Sequence, residues 1–183
     1  MLSIRQIKID YLHCPMGVTR LPQLGWVIES DRKNIKQTAY YLQIALDKDF
    51  SHIIKDSGWI EEGESAHIFV QDMTLQSAKK YFVRVKIVDN YDEKSSWSEP
   101  AYFVTGLVQP DHWQASFITG ESTADASNSK GTYVRGGFEV TKEVKEAYVY
   151  ASALGLYLLY LNGDKVGTDR KSVVEGKSVY IGG

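Results

Sequence analysis

The sequence predicts an all-β protein made of two sandwich-type bodies in series. Three observations carry that expectation. Short runs that alternate apolar and polar residues recur along the chain with turn residues between them, the pattern of strands with one buried face. Twelve Tyr and four Trp among 183 residues suit a pleated, half-buried surface. Tyr148 to Gly167 reads YVYASALGLYLLYLNGDKVG, two strand-length apolar runs broken by Asn162-Gly163. That dipeptide supplies positive φ at both central positions of a two-residue hairpin turn, which matches the twist of paired strands.

Taken in order, Ile4 to Ile9 alternates, and Gly25 to Ile28 is an apolar run with Trp26 as its large core residue. Thr38 to Leu46 is rich in Tyr, Ile and Ala, and Ala66 to Val70 follows an acidic, glycine-containing turn. Tyr81 to Val88 (YFVRVKIV) places Tyr81, Val83, Val85 and Ile87 on one face and Phe82, Arg84, Lys86 and Val88 on the other, because strand side chains alternate. Ala101 to Thr105 closes the first set. Asp47 to Ile54 (DKDFSHII) predicts a helical turn, with Asp47 as its cap and Phe50, Ile53 and Ile54 sharing a face at i, i+3, i+4.

A connector, GLVQPD, spans Gly106 to Asp111. Trp113 to Ile118 then starts a new strand. Gly120 to Gly131 is small and polar and reads as a loop. Tyr133 to Val140 is strand-like, with Gly136-Gly137 marking a bulge. Thr141 to Ala147 links it, as a turn or one helical turn, to the Asn-Gly hairpin. Arg170 to Gly183 (RKSVVEGKSVYIGG) reads as an atypical tail, foreign or frame-disrupted.

Composition excludes several classes. Hydrophobic residues make up 43% and charged residues 24%, enough for a packed core. The net charge is −2 with both signs interspersed, so no basic footprint for nucleic acid exists. The lone Cys14 excludes an internal disulfide. No charged stretch precedes an apolar one at the start, and no run is long enough to span a bilayer. The chain as written is therefore expected to be cytoplasmic, without a membrane partner, although secretion of a longer parent stays open. His13, His52, His67 and His112 are scattered, and the adjacent His13-Cys14 cannot fill a tetrahedral shell. No metal and no cofactor is expected. There is no Gly-x-Ser-x-Gly, and Gly167 to Ser172 lacks the glycine before its lysine that a phosphate loop needs.

Leu75, six positions before Tyr81, with Val83 and Val85 following at period two, resembles the fibronectin type III pattern. There a tyrosine near a strand start bonds its hydroxyl to upstream backbone. Trp97-Ser98-Glu99-Pro100 resembles the tract that opens the last strand of such modules, where proline is tolerated because a strand start need not donate. The ordered set Pro15-Met16-Gly17, Trp26, Glu29-Ser30, Gln37-Thr38-Ala39-Tyr40, Asp56-Ser57-Gly58 and Trp97 to Pro100 resembles the first domain of bacterial α-L-rhamnosidases. Ala153, Gly155, Tyr157, Asn162, Gly163, Val166 and Gly167 resemble the signature of that family's N-terminal β-sandwich domain. Two departures are visible. Phe117 stands where the family carries a second Trp, and the Pro-Gly-Trp-Thr-like stretch that normally follows the Val-Gly is missing.

The resemblance implies a fibronectin-III-like β-sandwich over residues 3–106, then a truncated jelly-roll-type, sugar-binding-like β-sandwich over 111–169. Both would belong to the front of a glycoside hydrolase that releases terminal α-L-rhamnose with inversion. It implies catalytic carboxylates in a downstream (α/α) barrel of the same full-length chain. That barrel would be the partner of this region, and the fragment alone would be inactive. Rhamnose-containing saccharides are the candidate ligands.

Glycoside hydrolysis needs two carboxyl groups flanking the scissile bond. Glu61-Glu62, Asp89, Asp92-Glu93 and Glu143 sit among turns or beside lysines and read as solvated surface, so no catalytic residue is assigned. The candidate saccharide contacts are Tyr157 and Tyr160, for stacking on a pyranose, and Asn162 and Asp164, for its hydroxyls. A packed hairpin explains the same residues through turn geometry alone. The alternative from another class is a non-enzymatic tandem β-sandwich that binds a partner through a sheet edge or loops, as adhesion modules do.

Overall fold

The computed structural model describes the backbone of residues 1–118, 120, 131–144, 146–153, 155–173 and 177–181, and side chains as far as residue 166. The chain is all-β. Its strands are β1 (Leu2–Ile9), β2 (Met16–Val18), β3 (Gln23–Ser30), β4 (Gln37–Ala45), β5 (Ile53–Ile60), β6 (Ile68–Phe69), β7 (Lys80–Asp89), β8 (Ala101–Thr105), β9 (Ala147–Ala151), β10 (Gly155–Leu161), β11 (Asp164–Val173) and β12 (Lys177–Ile181). A 3₁₀ turn lies at Pro110–His112.

The first eight strands form a sandwich. One sheet has the order β1-β3-β6 and the other β2-β8-β7-β4-β5. All pairs are antiparallel except β2 with β8, which run parallel. The alternation in β7 becomes its burial pattern. Tyr81, Val83, Val85 and Ile87 are at most 1% exposed. They join Ile7, Ile9, Leu24, Trp26, Leu42, Ile44 and Phe103 in one core cluster.

The family-like motifs turn out to be local fasteners. The Gln76 N–H donates to the Tyr81 hydroxyl at 2.9 Å, the corner bond that the Leu75–Tyr81 spacing suggests. The Trp26 indole donates to Gln37 Oε1 at 2.8 Å, and Gln37 Nε2 donates on to the carbonyls of Glu62 and Glu64. A buried indole N–H and a buried amide are thereby satisfied together. Ser57 Oγ accepts from the Leu42 N–H at 2.8 Å, and Gly58 takes φ +64°, a value that side-chain-bearing residues rarely adopt.

β8 covers only the first part of β7, pairing with Lys80 to Val83. Beyond that, the loop before β8 stands in for a strand. Ser98 donates its N–H to the Val85 carbonyl at 2.8 Å and accepts the Val85 N–H on its hydroxyl at 3.1 Å. Ser95 repeats the arrangement with Ile87 at 2.9 and 3.0 Å. Two serine hydroxyls thus replace carbonyls missing from the ladder, as the demand for paired backbone groups requires.

Three expectations need correction. Asp47 to Ile54 is not a helical turn. Phe50 N–H bonds Asp47 O at 3.3 Å in a tight turn, Phe50 sits at φ +58°, and the Asp47 carboxylate accepts the N–H groups of Ser51 and His52. Ile53 and Ile54 are the exposed start of β5. The i, i+3, i+4 spacing misleads because so short an apolar run cannot be told from a strand by periodicity. Trp113 to Ile118 and Tyr133 to Val140 are not strands either. They have no ladder partner among the described residues, and Phe117, Ile118, Tyr133 and Phe138 are exposed. Most of the loop expected over Gly120 to Gly131 lies outside the described residues, as does Lys145 of the Thr141–Ala147 link.

The expected hairpin is present as β10–β11. Leu161 pairs with Asp164, and Asn162 and Gly163 between them take φ +51° and +94°. The backbone of the tail also pairs: Lys171, Ser172 and Val173 face Tyr157, Leu156 and Gly155, and β12 runs antiparallel to β9.

Candidate functional site

The outward face of the five-stranded sheet carries a ladder of cations and rings. Arg84 lies 4.1 Å above the Phe50 ring and 4.4 Å above Trp97. Lys86 Nζ is 4.6 Å from the ring centres of Tyr41 and Trp97 and 5.2 Å from Trp59. Tyr41 meets Trp59 and Trp97 edge-on at 5.5 and 5.4 Å. Alternation on β4, β5 and β7 places Tyr41, Trp59, Arg84 and Lys86 together, and Trp97 joins them from the serine-zipped loop and Phe50 from the turn between β4 and β5. Such contacts each contribute about 0.5–2 kcal/mol. Asp56 closes the ladder on its polar side. Hydrogen bonding from the Tyr41 hydroxyl, and after it from Gln43 and the Gly58 N–H, outweighs burial and lowers its carboxyl pKa. Gln43 Nε2 donates to Asp56 at 2.8 Å, while Arg84 donates twice to Gln43 Oε1. Cations occupy the ring faces here, which makes the ladder a brace for the sheet.

At the other end of that face lies a cavity of about 350 Å³ lined by Met16, Lys48, Lys80, Phe82, Pro100, Tyr102 and Tyr148. Lys80 reaches Glu146 at 2.5 Å and sits 5.0 Å above the Tyr102 ring. Burial works to lower the Lys80 pKa, but the hydrogen bond to Glu146 and the neighbouring Tyr148 and Glu146 charges outweigh it and the net shift is upward. The Tyr148 hydroxyl donates to Glu146 at 3.2 Å, and burial is the main cause that raises its pKa. The first sandwich and β9 therefore meet through an ammonium, a carboxylate and a phenol.

The four sequence candidates sit on the hairpin. Along β10 the exposed residues are Leu156, Leu158 and Tyr160, while Tyr157, Leu159 and Leu161 are half-buried. Tyr157 and Tyr160 therefore project from opposite faces. Tyr160 is 53% exposed and pairs with Lys165, beside the exposed turn that carries Asn162 and Asp164. The structure brings Tyr160, Asn162 and Asp164 to one end and sets Tyr157 apart.

Several carboxylates do structural work. Asp47 and Asp56 hold turns, as above. Asp89, expected on the surface, is fully buried, and its Oδ1 accepts the N–H groups of Tyr91 and Glu93. Its position as the last residue of β7's buried face was the available signal. Among the described residues, no group of three or more His, Cys, Asp or Glu could hold a metal ion.

The family described as Rha78A-like, N-terminal immunoglobulin domain, matches residues 4–109. The chain belongs to this family. An α-L-rhamnosidase of Formosa agariphila is 31% identical over 191 aligned positions, covering 91% of this chain and 20% of that protein. An α-L-rhamnosidase of an Alteromonas species is 31% identical over 155 positions, covering 79% and 17%. Among solved structures, the α-L-rhamnosidase from Dictyoglumus thermophilum aligns with a TM-score of 0.78 at 25% identity, covering 98% of this chain and 25% of that one. The Streptomyces avermitilis α-L-rhamnosidase complexed with L-rhamnose has the same fold, with a TM-score of 0.63 at 20% identity, over 98% of this chain and 21% of that one. The chain spans about a fifth of the length of the curated relatives it matches. The fit to the first domain of the Rha78A-like proteins explains why the Trp26–Gln37, Asp56–Gly58 and Trp97–Pro100 motifs stand in that order: each fastens one joint of the immunoglobulin-type sandwich.

Proposed function

We propose that this chain is a non-catalytic N-terminal region of an α-L-rhamnosidase, a hydrolase of terminal α-L-rhamnosides. The observation that carries the reading is the match of one ordered sandwich, and of the strands after it, to α-L-rhamnosidases along nearly the whole chain. The carboxylates of Asp47, Asp56 and Asp89 are engaged by backbone or side-chain donors, which supports a scaffolding role for the first sandwich. Its task would be to buttress the (α/α) catalytic barrel of the same polypeptide. Tyr160, Asn162 and Asp164 at the hairpin tip are the residues on offer to a rhamnose-containing saccharide, with Tyr157 on the opposite face.

The test is hydrolysis of an aryl α-L-rhamnoside. A polypeptide extended to the length of the relatives is expected to release the phenol, and these 183 residues alone to release none. Release by the short chain would overturn the non-catalytic reading. No release by a folded long chain would overturn the enzyme reading.

A further inference from the structure

The cavity between the outer face of the first sandwich and β9 belongs to neither the ladder nor the hairpin. Its volume, about 350 Å³, lies at the lower end of what small ligands occupy, about 300–1,000 Å³. Phe82 supplies a flat apolar wall, Tyr102 adds a second ring with the Lys80 ammonium over one face, and Met16 and Pro100 extend them. The charged side chains in the lining are both ammonium groups. Lys80 is matched by Glu146, and among the described residues the exposed Lys48 has no such match, so it is the positive charge for an incoming group. Tyr148 adds a phenol that is already hydrogen-bonded on its edge. Apolar walls for C–H faces, a phenol in reach of hydroxyls, and a lysine with no ion pair among the described residues describe a polyol ring that carries an acid.

We propose that this cavity is a subsite for an acidic monosaccharide unit, a pyranose bearing a carboxylate, with Lys48 pairing that carboxylate. The choice of a sugar skeleton rests on the reading of the chain as part of a saccharide hydrolase; the choice of an acidic one rests on the lining. Charge-assisted bonds of this kind are shorter and stronger than neutral ones. The pairing separates an acidic sugar from a neutral one.

The experiment is a titration of the full chain, labelled at the methionine methyls, with sodium D-glucuronate followed by carbon–proton NMR. Met16 lines the cavity, whereas Met73 packs against the core of the sandwich and serves as internal control. The Met16 signal is expected to move saturably, with a midpoint on the order of 10 mM, while Met73 stays. L-rhamnose and sodium acetate should each leave Met16 in place over the same range. Lys48→Gln should weaken the response about fivefold or more, with an unchanged Met73 signal reporting that the variant is folded. An unmoved Met16 overturns the proposal, as do an equal response to acetate or rhamnose and an undiminished response in the Lys48 variant. The rhamnoside assay on the extended polypeptide is a separate readout, so failure of the enzyme reading and failure of the subsite can be told apart.

Discussion

The two halves of this chain use the same residue types but differ in what their strands face. In the first, two sheets close on each other and Val83, Val85, Ile87 and Phe103 lose all contact with water. In the second, β10 pairs with β11 and β9 with β12 as separate two-stranded ribbons. There Phe117, Tyr133, Phe138 and Leu156 are 69%, 86%, 76% and 75% exposed. Turn chemistry is enough to pair two strands; burying them needs a facing layer. Hydrogen bonding and burial are separable, and this molecule separates them by sequence position.

That contrast can be broken most directly with core truncations. Phe103→Ala should cost about 3–5 kcal/mol, read as a drop in the urea midpoint. Leu156→Ala should cost less than about 0.5 kcal/mol, as surface changes do. Similar losses for the two would end the comparison. Tyr81→Phe removes the acceptor for the Gln76 N–H while leaving the ring in place. A loss of about 1–3 kcal/mol is expected in the same assay. Gly163→Ala tests the other half. With φ at +94°, a β-carbon should cost about 1–2 kcal/mol, and amide exchange should quicken in β10 and β11 while β7 stays protected. Equal quickening in β7 would mean that the halves unfold together.

The smallest expected effect is acidic. The Asp56 carboxyl is held below its usual 3.8, first by the Tyr41 hydroxyl. The folded state therefore binds that proton less readily than the unfolded chain, so the contribution is whole above about pH 4 and is lost as pH falls through the depressed value. Asp56→Asn should flatten the stability profile below about pH 4 and change it little near neutrality. An unchanged acid limb would show that the carboxylate at the foot of the ladder is idle.

How much of this was legible depended on how far apart the deciding residues lie. The faces of β7 follow from period-two alternation within eight residues, and the Asn162-Gly163 turn from two. The Tyr81 corner followed from the resemblance of the Leu75–Tyr81 spacing, with Val83 and Val85 at period two, to the fibronectin type III pattern. β5 was hidden because Gly58 and two register shifts against β4 break its alternation. Its opening isoleucines also fall at helical spacing from Phe50. Tyr133 to Val140 has the composition of a strand without a partner, and composition carries no information about partners. The cavity was illegible for the opposite reason: its lining comes from positions 16, 48, 80, 82, 100, 102 and 148, brought together by strand order alone. Trp97 was read for its place before β8, but its insertion between Arg84 and Lys86 is a property of the folded sheet.

The parallel pairing of β2 with β8 has one further effect. It makes the three-residue β2 one border of the five-stranded sheet, with the longer β5 as the other. That border is bent by two register shifts and by the left-handed Gly58, so its outward N–H and C=O groups do not form a straight row. A straight row is what another copy would need in order to add itself as a sixth strand. The β5 border is thereby ill suited to zipping against a second copy of itself, although isoleucines and a tryptophan lie along that side.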